Sequence, residues 1–384
     1  MRALALIGNK RLRKLFSIRE NSPSLQVPNN PFAWFHCASL GEFEQATPVI
    51  KEYIALHPSA PILLSFFSPS GYEPIVANQP KWLRPMDKVC ALPFDTPFRV
   101  RSFLKSFDYK VKFFAACKYD VWPNLISELS NAKIPTYVFA VHITENSKVL
   151  KSSFMRWNWA KLTRVFTQSH ESTKLLISKG INAETIGDPR VDRVIELAES
   201  SFPPEGLIEW KGDANLVVAG STWVQEEVGL ITLPWSEKYK LIVAPHDVSK
   251  QNIIRVLNLF NATGHTASLL SDSKFDTPVI IVDTMGQLTS IYPIADLAIV
   301  GGGFGKGIHN ILEPAANGIA VITGPNISRF REASVLLDSG VLSIADEQNT
   351  LPRLVWDKIT QVKPKSNWLN SQKGSSIKIA SILP

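Results

Sequence analysis

The feature that most constrains this chain is a repeated alternation of short apolar runs with helix-like segments. Runs at 32–38, 62–67, 112–116 and 136–141 are each followed by a segment of helical periodicity, and the pattern resumes at 215–219, 240–244, 279–282, 297–300 and 320–322. Strands apolar along their whole length are covered on both faces, which is the condition of a parallel sheet flanked by helices. The fold class expected is therefore α/β, with two Rossmann-like doubly wound domains facing a central cleft. Asp188-Pro-Arg-Val-Asp-Arg and Ser200-Ser-Phe-Pro-Pro-Glu-Gly carry no strand pattern and read as the linker. The expected boundaries are 1–190, 191–366 and a tail at 367–384, with 368–383 read as one amphipathic helix. At 384 residues the chain suits two domains.

In such sheets ligands sit beyond the carboxyl ends of the strands, so function is expected in the strand-to-helix loops. The formal net charge of +7 favours an anionic partner without choosing among nucleic acid, phosphorylated lipid and membrane surface. Cys37, Cys90 and Cys117 have no metal spacing, and an odd, sparse set argues against a disulfide framework and for a reducing compartment. No run reaches the roughly 20 apolar residues that cross a bilayer. The start is apolar and then basic, with Lys10, Arg11, Arg13 and Lys14 before Phe16, which suits either a membrane interface or a plain surface helix.

The most informative loop follows the run at 297–300: Gly301, Gly302, Gly303, Gly305 and Gly307, with Lys306, His309, Asn310 and Glu313. Glycines admit close backbone approach, and a helix N-terminus beyond them favours an anion. Asn310 and Glu313 also have the spacing of a capping box. Capping leaves His309 and the glycines to explain, so a ligand-binding loop is the preferred reading. The spacing is neither a Walker A loop nor a good GxGxxG.

A second segment, Cys37-Ala-Ser-Leu-Gly-Glu, turns from strand to helix with Glu42 in the first turn. Glu42 reads as a general base for a hydroxyl or, with Ser39, as a cap, and the residues alone leave the two equal. Loops at 68–73, 118–124 and 245–247 follow the same strand-end rule, each being more readily turn chemistry than a site. Ser221 or Thr222 read as caps of a helix with Glu226 and Glu227 in its first turn. No DxD triad or His/Cys/Asp cluster has metal spacing, so no metal or other cofactor is expected.

Taken together these segments resemble the family of 3-deoxy-D-manno-octulosonic acid (Kdo) transferases, in order and spacing, from about Asn30 to the C-terminus. Ala38-Ser-Leu-Gly-Glu is similar to the family's Ala-Ser-Val-Gly-Glu, whose glutamate is the catalytic base. Ser68-Pro-Ser-Gly resembles its Thr-Pro-Thr-Gly, and Trp122-Pro-Asn-Leu its Trp-Pro-Asn-Leu. Asp283-Thr-Met-Gly-Gln-Leu resembles Asp-Thr-Met-Gly-Glu-Leu, and Gly307-Ile-His-Asn-Ile-Leu-Glu-Pro-Ala the family's Gly-Gly-His-Asn-Pro-Leu-Glu-Pro-Ala. The resemblance implies a GT-B fold, CMP-Kdo as donor, a lipid A precursor as acceptor and inversion at the anomeric carbon. It implies catalysis by Glu42 and an acceptor group of Ser39, Gly41, Ser68, Ser70, Gly71, Lys118 and Asp120. The implied donor group is Ser221, Thr222, Pro245, His246, Met285, Gly286, Gly303, Gly305, Lys306, Gly307, His309, Asn310 and Glu313.

Two motifs depart from the family. Lys118-Tyr-Asp120-Val121 stands where Glu-Thr-Glu is usual, and Pro245-His246-Asp247 where Pro-Arg-His is usual. A longer apolar anchor before the basic stretch is not seen, so weaker attachment or an incomplete N-terminus is expected. The location expected is the cytoplasmic face of the bacterial inner membrane, as a peripheral protein on an anionic surface, with no nucleic-acid partner. The rival readings are a GT-B transferase or epimerase using a UDP-sugar, and a non-catalytic protein that binds anionic lipid or nucleic acid.

Overall fold

The computed structural model describes residues 10–22, 25–273, 275–359 and 367–384. They divide into two compact units, residues 1–193 with 374–384, and residues 194–373. The dividing point lies inside a helix, Pro189–Ser200. Part of the stretch read as linker is thus helical: proline is tolerated in a first helical turn, and Val191 and Val194 bury one face.

The first unit is built on strands β1 (Phe32–Cys37), β2 (Ile62–Phe66), β3 (Lys88–Ala91), β4 (Val111–Cys117), β5 (Thr136–Val141), β6 (Arg164–Thr167) and β7 (Ala183–Thr185). They form one parallel sheet in the order β3-β2-β1-β4-β5-β6-β7. Every residue of β1 is buried because its two faces feed two cores. Phe32 and Trp34 enter one with Phe107 and Phe114, while Ala33, Phe35 and Cys37 enter the other with Tyr53 and Phe113. Burying a side chain of the size of Phe35 is worth roughly 1.5–3 kcal/mol.

The second unit repeats the plan with β8 (Asn215–Thr222), β9 (Tyr239–Pro245), β10 (Ala267–Leu269), β11 (Val279–Ile281), β12 (Leu297–Val300), β13 (Ala320–Thr323) and β14 (Leu342–Ile344). Its sheet is also parallel, in the order β10-β11-β9-β8-β12-β13-β14. In each unit the first strand is a switch point: β1 lies between β2 and β4, and β8 between β9 and β12. The loops leaving the two central strands diverge there and open a crevice at their carboxyl ends.

The tail read as a single helix is two, Asn367–Gln372 and Ser375–Ile382. Gly374 separates them with φ +84°, a conformation that ends a helix. Ile379, Ala380 and Leu383 complete a core of the first unit. Tyr53 Oη donates to the Pro384 carbonyl at 2.8 Å, and Asp192 accepts from the N–H groups of Gly374 and Ser376. The expected boundary between residues 366 and 367 adjoins residues 360–366, outside the described residues.

Met1 to Asn9, the apolar part of the expected interface segment, also lie outside the described residues. The basic part is a helix, Lys10–Glu20. Its Arg19 donates to the Leu15 and Phe67 carbonyls and stacks over the Phe67 and Phe94 rings. Burial and the nearby Arg99 cation lower its pKa to about 10. No helix among the described residues is long and apolar enough to cross a membrane.

Candidate active site

In the first unit three loops at the switch point are tied together. The Ser68 N–H donates to the Ala38 carbonyl at 2.8 Å, joining the loops after β1 and β2. Phe67 stacks on Trp122 with ring centroids 4.6 Å apart, joining β2's loop to that of β4. A Cβ at Gly71 would meet the Phe66 ring at 2.5 Å and the Ser39 backbone at 3.0 Å, so this glycine lets the helix Pro69–Ala77 approach Ser39.

Glu42 stands at this junction, in the first turn of the helix Leu40–Leu56. The expected reciprocal cap is absent, since the Ser39 side chain makes no capping hydrogen bond. Glu42 instead accepts one backbone hydrogen bond, from Ala38 N–H at 2.5 Å. Burial and then the Asp120 carboxylate raise its pKa, opposed by Ala38 N–H, His36 and Lys118. A carboxylate made more basic in this way is better matched to accepting a proton near neutral pH.

Asp120 is itself held. Its Oδ2 lies 3.2 Å from His36 Nε2 and accepts from Trp122 Nε1–H at 3.3 Å. His36 is fully buried, and its Nδ1 contacts Ser65 Oγ at 2.9 Å, which also accepts from Trp34 Nε1–H. Sequence reasoning missed His36 and Ser65. The available signal was a polar residue at each of these points in otherwise apolar strands. Lys118 adopts φ +66° where β4 ends, and its N–H donates to the Phe139 carbonyl. Ser68 and Ser70 share a 2.6 Å Oγ to Oγ contact, while Gly41 is exposed with open space around it.

In the second unit the glycine loop after β12 packs against the end of β8. A Cβ on Gly301 would fall 2.2 Å from the Ser221 carbonyl oxygen, and one on Gly303 would fall 2.4 Å from Gly324 N. These two glycines are therefore required for backbone packing. The loop's N–H groups are also partly used: Gly302 N–H donates to Glu226 Oε1, and those of Gly305 and Gly307 to the Gly302 carbonyl. Glu226 is buried and also accepts from Trp223 N–H, pinning the glycine loop to the helix Val224–Leu230. Burial raises its pKa.

Two cavities flank this loop. One of about 220 Å³ is lined by Ser221, Pro245, His246, Met285, Gly286, Thr289 and Glu313 among others. The other, about 390 Å³, is lined by Trp223, Gly305, Lys306, Gly307, His309 and Phe330 among others. Beside them stand three aromatic rings, with His246 stacked on Trp223 at 4.6 Å and tilted against His309 at 4.6 Å. The expected Asn310–Glu313 capping box does not form. Asn310 Nδ2–H donates to Glu313 Oε1 at 2.8 Å and Thr289 Oγ–H to Oε2 at 3.3 Å, while the helix itself is only Leu312–Ala316. Thr222 is buried behind the site, donating to Glu227, which pairs with Arg255.

Among the described residues no group of three or more His, Cys, Asp or Glu side chains could hold a metal ion. The three cysteines are free and buried.

Two units, each a parallel seven-stranded sheet with a switch point at its first strand, define a GT-B-like fold. In structure the chain is similar to UDP-GlcNAc 2-epimerase from Neisseria meningitidis bound to UDP-GlcNAc, with a TM-score of 0.60 over 91% of this chain and 97% of that one at 9% identity. At that identity the likeness is one of fold. In sequence, the model of the 3-deoxy-D-manno-octulosonic-acid transferase (kdotransferase) family matches residues 10–193. The Aquifex aeolicus 3-deoxy-D-manno-octulosonic acid transferase is 29% identical over 312 residues, 79% of this chain and 79% of that protein. A bifunctional glycosyltransferase/methyltransferase of Fusobacterium nucleatum is 28% identical over 339 residues, 82% of this chain. The chain spans about half the length of that last relative, 49%. The fold is thus GT-B-like, and in sequence the chain is similar to the Kdo transferases, at under 30% identity over most of its length.

Proposed function

We propose that this protein transfers Kdo from CMP-Kdo to a lipid A precursor of the tetra-acylated kind, with inversion at the anomeric carbon. The observation that carries the reading is Glu42: a half-buried carboxylate at the switch point of the first sheet, made more basic by burial and by Asp120. It takes the proton of an acceptor hydroxyl as that oxygen bonds to the anomeric carbon, and the bond from that carbon to the CMP phosphate oxygen breaks. General-base assistance of this kind contributes roughly 100- to 10,000-fold.

In this reading the first unit takes the acceptor through Ser39, Gly41, Ser68, Ser70, Gly71, Lys118 and Asp120. The second takes CMP-Kdo in the two cavities beside the glycine loop. Glu313, already an acceptor of two side-chain hydrogen bonds, faces the smaller cavity where ribose hydroxyls would replace them. Lys306 and the backbone of Gly305 and Gly307 offer positive charge and close approach to the departing phosphate. No metal takes part. The net charge of +7 suits an anionic acceptor and a peripheral place on the cytoplasmic face of the inner membrane.

The test supplies CMP-Kdo, generated in place, or a UDP-sugar to the protein with the tetra-acylated precursor. Product from CMP-Kdo alone is expected. Product from the UDP-sugar alone would establish the rival reading.

A further inference from the structure

The smaller cavity of the second unit poses an electrostatic problem. An anionic donor would bind beside Glu313, and among the residues that line this cavity His246 is the one base. It sits where β9 ends, its backbone N–H held by the Thr222 carbonyl at 3.0 Å. Its ring is exposed, carries no hydrogen bond within the protein, and lies against both the Trp223 and the His309 rings.

The two neighbouring rings treat a proton differently. Trp223 Nε1–H points at His309 Nε2 across 3.4 Å. An indole N–H only donates, so His309 Nε2 accepts and the ring proton resides on Nδ1. Protonating His309 would set two donors against each other. Burial and the adjacent His246 also hold its pKa down. His246 has no such opposition, and the Trp223 face it stacks on, at an interplanar angle of 22°, attracts a cation. Other charged groups nearby are committed or displaced. Asp247 bonds to Ser249 through both carboxylate oxygens and also feels the His246 charge, which favours the cation; Glu226 is buried against Trp223 N–H and Gly302 N–H, Glu313 is held by Asn310 and Thr289, and Lys306 lines the other cavity.

We infer that His246 is the titrating cation of the donor site: it contacts the anionic part of the nucleotide only in its protonated form, so donor binding takes up a proton. The inference rests on the donor reading above and adds that this protein's hold on its donor weakens as pH rises.

The probe is the methyl phosphodiester of CMP, which keeps a single negative charge across the range, titrated calorimetrically from pH 5.5 to 8.5. The Kd of the native protein should rise about tenfold over this range, the order expected for losing one charge-assisted contact. Paired titrations at pH 7.5 in buffers of different ionisation heat should show proton uptake. His246→Arg should bind with a Kd independent of pH and close to the native value at pH 5.5. His246→Gln should bind at every pH with the native value at pH 8.5. A native Kd that does not change with pH, or a pH slope that survives in His246→Gln, would overturn the inference and leave the donor reading standing. No binding at any pH would overturn both.

Discussion

His36 Nε2, on β1, lies 3.2 Å from Asp120 Oδ2 in the loop after β4, and this contact bridges the two strands between which the first sheet changes direction. Through it a buried ring fixes the carboxylate that makes Glu42 more basic.

A pH dependence follows. As the base proposed above, Glu42 would work only when ionised, and its folded pKa is raised, first by burial and then by Asp120. Activity should therefore be lost as pH falls through that raised value. Asp120→Asn removes the second cause, so the acid limb of kcat against pH should move to lower pH. An unmoved limb would show that the Asp120 charge does not reach the base.

The same contact has a structural cost when broken. His36→Leu removes a partner from buried Ser65 Oγ and from half-buried Asp120 Oδ2. A loss of about 1–3 kcal/mol is expected in urea unfolding of the full chain. A change under about 0.5 kcal/mol would mean that water replaces the imidazole without penalty.

In the second unit Gly301 and Gly305 should behave oppositely. A methyl at Gly301 meets the Ser221 carbonyl oxygen at 2.2 Å, and backbone must move, whereas at Gly305 the nearest atom is 3.6 Å away. Gly301→Ala should destabilise by roughly 1–3 kcal/mol and weaken CMP binding by displacing Ser221. Gly305→Ala should stay within about 0.5 kcal/mol in the same thermal measurement.

The C-terminal helix Ser375–Ile382 belongs to the first unit's core. Ile379 is fully buried, so Ile379→Ala should cost about 2–5 kcal/mol. Differential scanning calorimetry should show the loss. An unchanged transition would place the helix outside the cooperative core.

Much of this was legible in the residues because buried parallel strands are apolar throughout. The interior strands β1, β2, β4, β5, β8, β9, β11, β12 and β13 all coincide with apolar runs. The strands β3, β6, β7, β10 and β14 escaped because each is short and also broken by a polar residue, at Lys88, Arg164, Glu184, Ser268 and Ser343. All but β6 also lie at sheet edges, where the pattern is interrupted by polar residues. Glu42 could be singled out from its place after a strand, yet base and cap could not be separated without the direction of its side chain. The structure shows that side chain turned to Ala38 N–H. The glycine loop was legible as a special backbone, but Gly301 and Gly303 answer to Ser221 and Gly324, neighbours distant in sequence that no local pattern announces.

The central claim is that Glu42 is the base, and the most direct measurement is Kdo transfer from CMP-Kdo to the tetra-acylated precursor by the native protein and by Glu42→Gln. The account predicts product from the native protein and turnover at least about 100-fold lower in the variant, with CMP still bound. Equal turnover in the two proteins would contradict it.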